Sequence, residues 1–310
     1  MKLAVVGPGA LGGLLAALFW EAGEEVCLVD YQAERARRLH RGGLQVRTLK
    51  GDERHQQVPV ALAAEAGPCD LTILAVKAYQ TKAAAQALPG LMSQRGVALT
   101  LQNGLGNLEE MARVAGPERL LAGVGLLGAT REREDRIIHA GRGAIFIGAP
   151  VGSQVSAAEL QAVVEVFRRA GLECESREDI LAVLWEKLVI NVGINPLTAL
   201  LRVPNGALLE LPQAWEVAVA AATEAQAVAA AAGLNLRGDP AARLRQVCRA
   251  TAANRSSMLQ DILAGRPTEI EALNAQVSRR GRALGRPTPV NDLLTLLMHA
   301  AQQSGPLRVF

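Results

Sequence analysis

The sequence predicts an α/β domain built on a parallel sheet, followed by an all-helical domain. Three observations carry that expectation. Apolar runs of strand length alternate with helical patterns as far as Ser176, a glycine-rich turn joins the first strand to the first helix, and from Asp179 onward β-branched alternation almost disappears. At 310 residues the chain exceeds the usual size of a single core, and 50% of it is hydrophobic, which excludes disorder. The change of character places the boundary near 177, giving domains 1–177 and 178–310.

The elements follow in order. Leu3–Val6 is a short apolar run, Leu11–Ala22 has helical spacing, and Glu25–Asp30 is strand-like and ends in an acid. Further buried-strand patterns are Leu71–Val76, Val97–Leu101, Leu121–Leu127 and Ala144–Ile147, with helical spacing at Gln80–Leu88, Leu105–Val114 and Ala157–Ala170. The charge-dense stretch Arg131–Arg136 mixes signs and reads as a solvated loop. In the second half the Ala-rich Trp215–Ala232 and Ala241–Ala253 are the clearest helices. Breaks fall at Pro204-Asn205-Gly206, Gly238-Asp239-Pro240, Gly265-Arg266-Pro267 and Gly285-Arg286-Pro287.

Composition excludes several classes of function. A net charge of +3, with both signs evenly spread, gives no footprint for nucleic acid or a membrane surface. Cys27, Cys69, Cys174 and Cys248 form no CxxC pair and read as reduced structural thiols. The four histidines show no metal-binding spacing, so no metal is expected. No run of about 18 consecutive apolar residues marks a bilayer span, and Met1-Lys2 runs straight into a strand pattern rather than a signal peptide. The expectation is a soluble cytoplasmic protein. A homodimer is allowed, because the Ala-rich Trp215–Ala232 suits a second subunit as well as its own core.

Gly7-Pro8-Gly9-Ala10-Leu11-Gly12 fits the pattern GxGxxG. The pattern alone is weak, but here it follows a strand, opens a helix, and precedes a second strand ending in Asp30. Gly7 permits the tight turn, Gly9 lets backbone approach a pyrophosphate, and Gly12 lets helix pack closely on strand. The helix start at Ala10 and Leu11 offers unpaired N–H groups and a partial positive charge to phosphates. Asp30 can accept from a ribose 2′-hydroxyl and repel a 2′-phosphate, which favours NADH. Arg35, Arg37 and Arg38 follow closely and can pair with a phosphate, so the residues leave the cofactor open.

Only five of the 33 basic residues are lysine, at 2, 50, 77, 82 and 187. Lys187 lies in Ile180–Leu197, an apolar helical segment that also carries Asn191 and Asn195. Spacing of i, i+4, i+8 puts all three on one face over about 12 Å. Pro196 should kink or end that helix. Buried polar groups need partners, and these either bridge to the other domain or face a polar ligand. Thr268-x-x-Glu271 matches a capping box, which would put Glu269 in the first helical turn, where the dipole keeps it ionised. Lys77 and Asn103 end two strands on the side where open parallel sheets gather ligands.

Taken together, these motifs resemble the ketopantoate reductase (2-dehydropantoate 2-reductase) family over nearly the whole chain. The resemblance rests on Gly7–Gly12, Val76-Lys77-Ala78 and Gln102-Asn103-Gly104-Leu105-Gly106. It continues through Leu184-Trp185-Glu186-Lys187-Leu188 with Asn191 and Asn195-Pro196-Leu197-Thr198, and through Ser256–Asp261 with Thr268-Glu269-Ile270. It implies a Rossmann dinucleotide-binding domain followed by an all-α domain like the C-terminal domain of 6-phosphogluconate dehydrogenase, with the active site in the cleft between them. The implied reaction is NADPH-dependent reduction of the small 2-keto acid 2-dehydropantoate to (R)-pantoate, on the route to pantothenate and coenzyme A. By resemblance Lys187 is the general acid and Glu269 its supporting carboxylate, also near the cofactor. Asn103, Asn191, Asn195 and Ser257 are substrate ligands, and Gly7, Gly9, Ala10, Leu11, Gly12, Asp30, Tyr31, Lys77 and Asn103 line the cofactor. Asp30-Tyr31 stands where the family commonly has an arginine for the 2′-phosphate, which admits NADH. The rival readings are a D-2-hydroxyacid dehydrogenase acting on another branched 2-keto acid, and a dinucleotide-binding sensor without turnover.

Overall fold

The computed structural model describes residues 1–304. They form two compact units, one of residues 1–102 and 107–180, the other of residues 103–106 with the chain from 181 onward. The short excursion 103–106 therefore belongs with the helices, although it follows a strand end of the first unit.

The first unit holds twelve strands: β1 Lys2–Val6, β2 Glu25–Asp30, β3 Leu44–Arg47, β4 Glu53–Gln56, β5 Val60–Leu62, β6 Cys69–Leu74, β7 Met92–Thr100, β8 Leu120–Gly125, β9 Gly128–Arg131, β10 Arg136–Gly141, β11 Ile145–Gly148 and β12 Cys174–Ser176. Eight make one sheet in the order β12-β11-β8-β7-β6-β1-β2-β5. The chain leaves β1 for β2 on one side and returns to β6 on the other, so β1 is a topological switch point, where such sheets take ligands. Alternation along β1 sends Leu3 and Val5 into one apolar cluster and Ala4 and Val6 into another, as expected of a strand buried on both faces.

Helices α1 Ala10–Glu21, α2 Ala33–Gly42, α3 Ala63–Ala66, α4 Thr81–Ala85, α5 Leu88–Leu91, α6 Asn107–Ala115 and α7 Ala157–Arg169 accompany this sheet. The sequence leads one to expect strands that all run parallel, and here the structure corrects it: β11 pairs antiparallel with β8. Between β8 and β11 the chain makes only the β9–β10 hairpin, and three residues then connect β10 to β11, so no crossover helix turns the chain round. A second sheet, β4-β3-β10-β9, escapes the sequence pattern altogether, because β4 reads Glu-Arg-His-Gln and has no apolar alternation. The charged stretch Arg131–Arg136 is the end of β9, the turn 132–135 and the start of β10 of that sheet, with Glu132, Arg133 and Glu134 exposed. The helix expected over Gln80–Leu88 is broken into α4 and α5, with Pro89 in the first turn of α5.

The second unit is helical: α8 Ile180–Leu201, α9 Pro212–Ala231, α10 Pro240–Ala250, α11 Ser257–Leu263, α12 Asn274–Ala283 and α13 Pro289–Gln303. Its apolar cluster centres on α8, which is long and apolar enough to cross a membrane yet is mostly buried within the protein. A helix apolar on all sides is a core helix in this setting. Helix α9 turns Ala218, Ala221, Ala222 and Ala225 into the same core, so its small-residue face is already used within the unit. The four cysteines form no disulfide, and burial pushes the Cys174 thiol up to about 12.

Candidate active site

The glycine turn has the geometry its three glycines predict, each for a different reason. Gly7 has φ +112°, and a β-carbon there would lie 2.7 Å from Val76 Cγ1, so only glycine fits. At Gly12 a β-carbon would run into the Gly7 carbonyl, because α1 packs directly on the turn. Gly9 differs. Its backbone is ordinary (φ −84°, ψ −170°), and a β-carbon there would meet only the Ala75 carbonyl, 3.9 Å away. Nothing in the protein demands glycine at 9, whereas a pyrophosphate lying against the backbone would. Gly9 is also the N-cap of α1, caps it with no side chain, and no acid stands in the first turn. The N–H groups of Ala10, Leu11 and Gly12 thus open a helix whose positive end is unneutralised, which fits a dinucleotide phosphate.

At the end of β2 the carboxylate of Asp30 is buried, at 2% residue exposure. Arg35 Nε and Nη2 donate to its two oxygens at 2.5 and 2.6 Å, and the Gln32 N–H donates at 3.0 Å. The Arg35 guanidinium also lies 5.4 Å from the centre of the Tyr31 ring, which is 67% exposed. The sequence presents Asp30 as a lone acid and Arg35 as one of three similar arginines. The fold joins them, because the first turn of α2 brings Arg35 back over the strand end. Arg37 and Arg38 pair instead with Glu34 and Glu134 on the surface.

Lys77 follows β6 and is half-buried. The strand ends around it are tied by buried polar side chains, of which the sequence motifs include only Gln102. Gln102 Nε2 donates to the Val76 carbonyl at 2.9 Å and to Thr81 Oγ1 at 2.7 Å, and Thr81 Oγ1 donates to Asn107 Oδ1 at 2.8 Å. All three side chains are buried, and buried amides and hydroxyls need such partners. Gln102 alone carries a sequence signal, as a polar residue directly after an apolar strand, whereas Thr81 and Asn107 open helices α4 and α6.

In the helical unit, α8 carries Lys187, Asn191 and Asn195 on successive turns of one face, and it continues through Pro196 to Leu201 rather than ending there. Burial pulls the Lys187 ammonium down from 10.5 to about 8, and the negative charge of Glu269 opposes that shift. Glu269 is itself buried, and Asn103 Nδ2 donates to its Oε2 at 3.3 Å. Asn103 is placed by its own segment: the Leu105 N–H donates to the Ala272 carbonyl at 2.9 Å, and Gly104 (φ +80°) brings backbone against Ala272 where a β-carbon would collide. Ser257 opens α11 beside Ser256, the N-cap, whose Oγ accepts from the Leu259 N–H. Among the described residues, the side chains of Asn191, Asn195 and Ser257 make no hydrogen bond to protein, although Asn195 is buried. Free amide and hydroxyl groups beside a lysine of lowered pKa and a buried carboxylate suit an oxygen-rich ligand.

Two local expectations fail around Glu269. Thr268 and Glu271 form no capping box: the Thr268 hydroxyl is buried without a partner, and the Glu271 carboxylate is taken by Arg279 and His299. Helix α12 begins only at Asn274, so Glu269 lies in an irregular turn before it, where the Glu269 carbonyl accepts from the N–H groups of Ala272 and Leu273. The turn packs under Asn103–Gly106, and that contact outweighs the local capping signal. A groove of about 180 Å³ between α1 and the small sheet, lined by Leu18, Leu49, His139 and Arg142 among others, holds none of these residues. Among the described residues no cluster of His, Cys, Asp and Glu could hold a metal ion.

Residues 3–152 match the family profile described as Ketopantoate reductase PanE/ApbA, and residues 179–302 match its C-terminal counterpart. The 2-dehydropantoate 2-reductase of Archaeoglobus fulgidus is 36% identical over 97% of this chain and 98% of its own. That of Halobacterium salinarum is 36% identical over 98% and 100%. Among solved structures, D-mandelate dehydrogenase with NADH and anilino(oxo)acetate superposes with a TM-score of 0.90 at 27% identity, covering 98% of this chain and 99% of that one. A PanE/ApbA family ketopantoate reductase from Ralstonia eutropha gives 0.89 at 28%, with the same coverage. With both profiles in order along the chain and relatives of this identity over its whole length, the protein belongs to the ketopantoate reductase family.

Proposed function

We propose that the protein reduces 2-dehydropantoate to (R)-pantoate with a reduced nicotinamide dinucleotide, a step toward pantothenate and coenzyme A in the cytoplasm. The observation that carries this is the face of α8. Lys187, with its pKa near 8, stands above Asn191 and Asn195, whose amides have no protein partner among the described residues. The full-length 2-dehydropantoate 2-reductase relatives support the substrate.

The dinucleotide, when bound, supplies the hydride to the keto carbon. The chain's residues act at the oxygen. Negative charge gathers there as the carbonyl is reduced, and the Lys187 ammonium stabilises it and donates the proton. An ordinary lysine, near 10.4, would hold that proton too tightly at neutral pH, and burial lowers the cost of giving it up. Glu269 limits the fall, so that Lys187 stays charged at pH 7. Asn191, Asn195 and Ser257 bind the hydroxyl and carboxylate oxygens of the substrate, and Asn103 holds Glu269 in place. The Gly7–Gly12 turn with the start of α1 takes the pyrophosphate, and Lys77 contacts the cofactor near the switch point of the sheet.

Cofactor choice turns on Arg35. A lone Asp30 would repel a 2′-phosphate, but its charge is cancelled by the two hydrogen bonds from Arg35. Nη1 of Arg35 remains unspent among the described residues, and Tyr31 beside it offers a ring face to the adenine. On this reading NADPH is used at least as well as NADH.

A steady-state assay with 2-dehydropantoate, run in parallel with NADPH and NADH, tests the proposal. Efficient turnover with NADPH is expected. A second reading draws on the D-mandelate dehydrogenase likeness. Turnover of bulkier 2-keto acids with NADH, and none of 2-dehydropantoate, would establish that reading instead. Tight dinucleotide binding with no reduction of any keto acid would make the protein a sensor.

A further inference from the structure

Helix α8 contains a backbone defect at the point where its polar face is most used. Pro196 has no N–H, so the Val192 carbonyl one turn earlier loses its intrahelical partner, and the proline ring presses against that same carbonyl. Asn195 immediately precedes the proline, a position at which the α conformation is disfavoured. Left to its local preferences, α8 would open between Asn191 and Asn195.

The structure fills this defect from another helix. Asn274, the first residue of α12 and fully buried, donates from Nδ2 to the Val192 carbonyl at 3.0 Å. The same nitrogen donates to Asn291 Oδ1 at 3.0 Å. Asn291 cannot reverse its amide without losing two bonds, because its own Nδ2 donates to the Ala221 carbonyl at 3.0 Å and to Glu224 Oε2 at 2.7 Å. Glu224 is held in turn by the N–H groups of Val290 and Asn291, at 2.9 and 3.0 Å, at the start of α13. The chain Glu224–Asn291–Asn274 therefore has one self-consistent direction, and it ends on the one carbonyl of α8 that Pro196 leaves without its normal donor.

We infer that Asn274 is a positioning residue of the keto-acid site: its side-chain amide replaces the hydrogen bond removed by Pro196 and so sets the pitch of α8 at Asn191 and Asn195. This rests on the reading of those two asparagines as substrate ligands. Asn274 touches neither substrate nor cofactor in this role.

The test is a double-mutant cycle on the full-length enzyme with Asn274→Ala, Pro196→Ala and the pair, using Asn195→Ala as the control for the site itself. Asn274→Ala should raise the KM for the keto acid about tenfold, the size of one lost hydrogen bond, with the dinucleotide Kd within about twofold of the parent. Pro196→Ala restores the backbone N–H. In that background the Asn274→Ala step should cost less than about threefold, because Val192 again has its own donor. A general loss of folding would lower active enzyme for both ligands alike and would not depend on Pro196. Should Asn274→Ala not fold, Asn274→Leu, which keeps the bulk without the amide donor, carries the test in the same two backgrounds, and its KM penalty should likewise shrink with Pro196→Ala. An equal Asn274→Ala penalty in both backgrounds, or an unchanged KM in Asn274→Ala, overturns the inference. If Asn195→Ala itself leaves the KM unchanged, it is the underlying reading of the site that falls.

Discussion

Lys187 sits where two opposing influences meet. Burial lowers its pKa to about 8, and Glu269 raises it. The acid form serves ketone reduction, so kcat/KM should be level below about pH 8 and fall about tenfold per unit above it. Glu269→Gln removes the raising influence, so that limb should move to lower pH; a limb that stays put would show that Glu269 does not act on the lysine. Lys187→Ala should cost orders of magnitude in turnover while dinucleotide affinity holds. A variant with normal turnover would remove Lys187 as the acid. Arg35 carries a second prediction at this scale. Arg35→Ala unmasks the Asp30 charge, and the kcat/KM ratio of NADPH to NADH should fall by at least about tenfold, while Arg35→Lys, which keeps the charge, should fall less. An unchanged ratio would place the pair outside the ribose site. Lys187 was legible in the sequence as a rare lysine in an apolar helix. The Asp30–Arg35 pair was not, because a salt bridge depends on side-chain directions that spacing alone leaves open.

Among the elements, the glycine turn and α8 were the most legible, since both combine strong periodicity with residues that break it. The turn yields a contrast in which two similar changes have different consequences. Gly7→Ala meets a positive φ and the Val76 side chain, and should lower thermal stability outright. Gly9→Ala meets only an ordinary contact with the Ala75 carbonyl and an ordinary backbone, so the fold should stand while the dinucleotide Kd rises at least about tenfold. Normal dinucleotide binding by Gly9→Ala would mean that no phosphate passes there. The capping box at Thr268 was a misleading signal of the same local kind. Its residues match the pattern, but the backbone turn under Asn103–Gly106 gives the Thr268 hydroxyl and the Glu271 carboxylate no helix end to cap. The strands β3, β4, β9 and β10 were illegible for a different reason: β4 is solvated and has no apolar residue, and β3 alternates Leu44 and Val46 into the core over only four residues, too short a run to stand out.

At the scale of the whole molecule, each unit has its own apolar core. The sheet is lined on its two faces by separate clusters, and α8 centres a third cluster among the helices. Asn103 and Glu269 belong to the helical unit, but most of the expected dinucleotide ligands, Gly7–Gly12, Asp30, Tyr31 and Lys77, belong to the first. Saturating NADP⁺ at about one hundred times its Kd should therefore stabilise that unit by about 2.7 kcal/mol, and its melting should separate upward from that of the helical unit in scanning calorimetry. A single symmetric transition that shifts as a whole would show that the two cores melt together.

Residue order alone was enough for the parallel core of the sheet, the change to helices, the glycine turn and the polar stripe of α8. These follow from periodicity and from local backbone limits, which act between near neighbours. The antiparallel β11, the assignment of 103–106 to the helical unit, the neutralised Asp30 and the repair of α8 by Asn274 came only with the tertiary structure. Each of these joins groups through directed hydrogen bonds or close packing, often between residues far apart in the chain. The free energy of such contacts depends on ångström-scale placement that no residue pattern encodes.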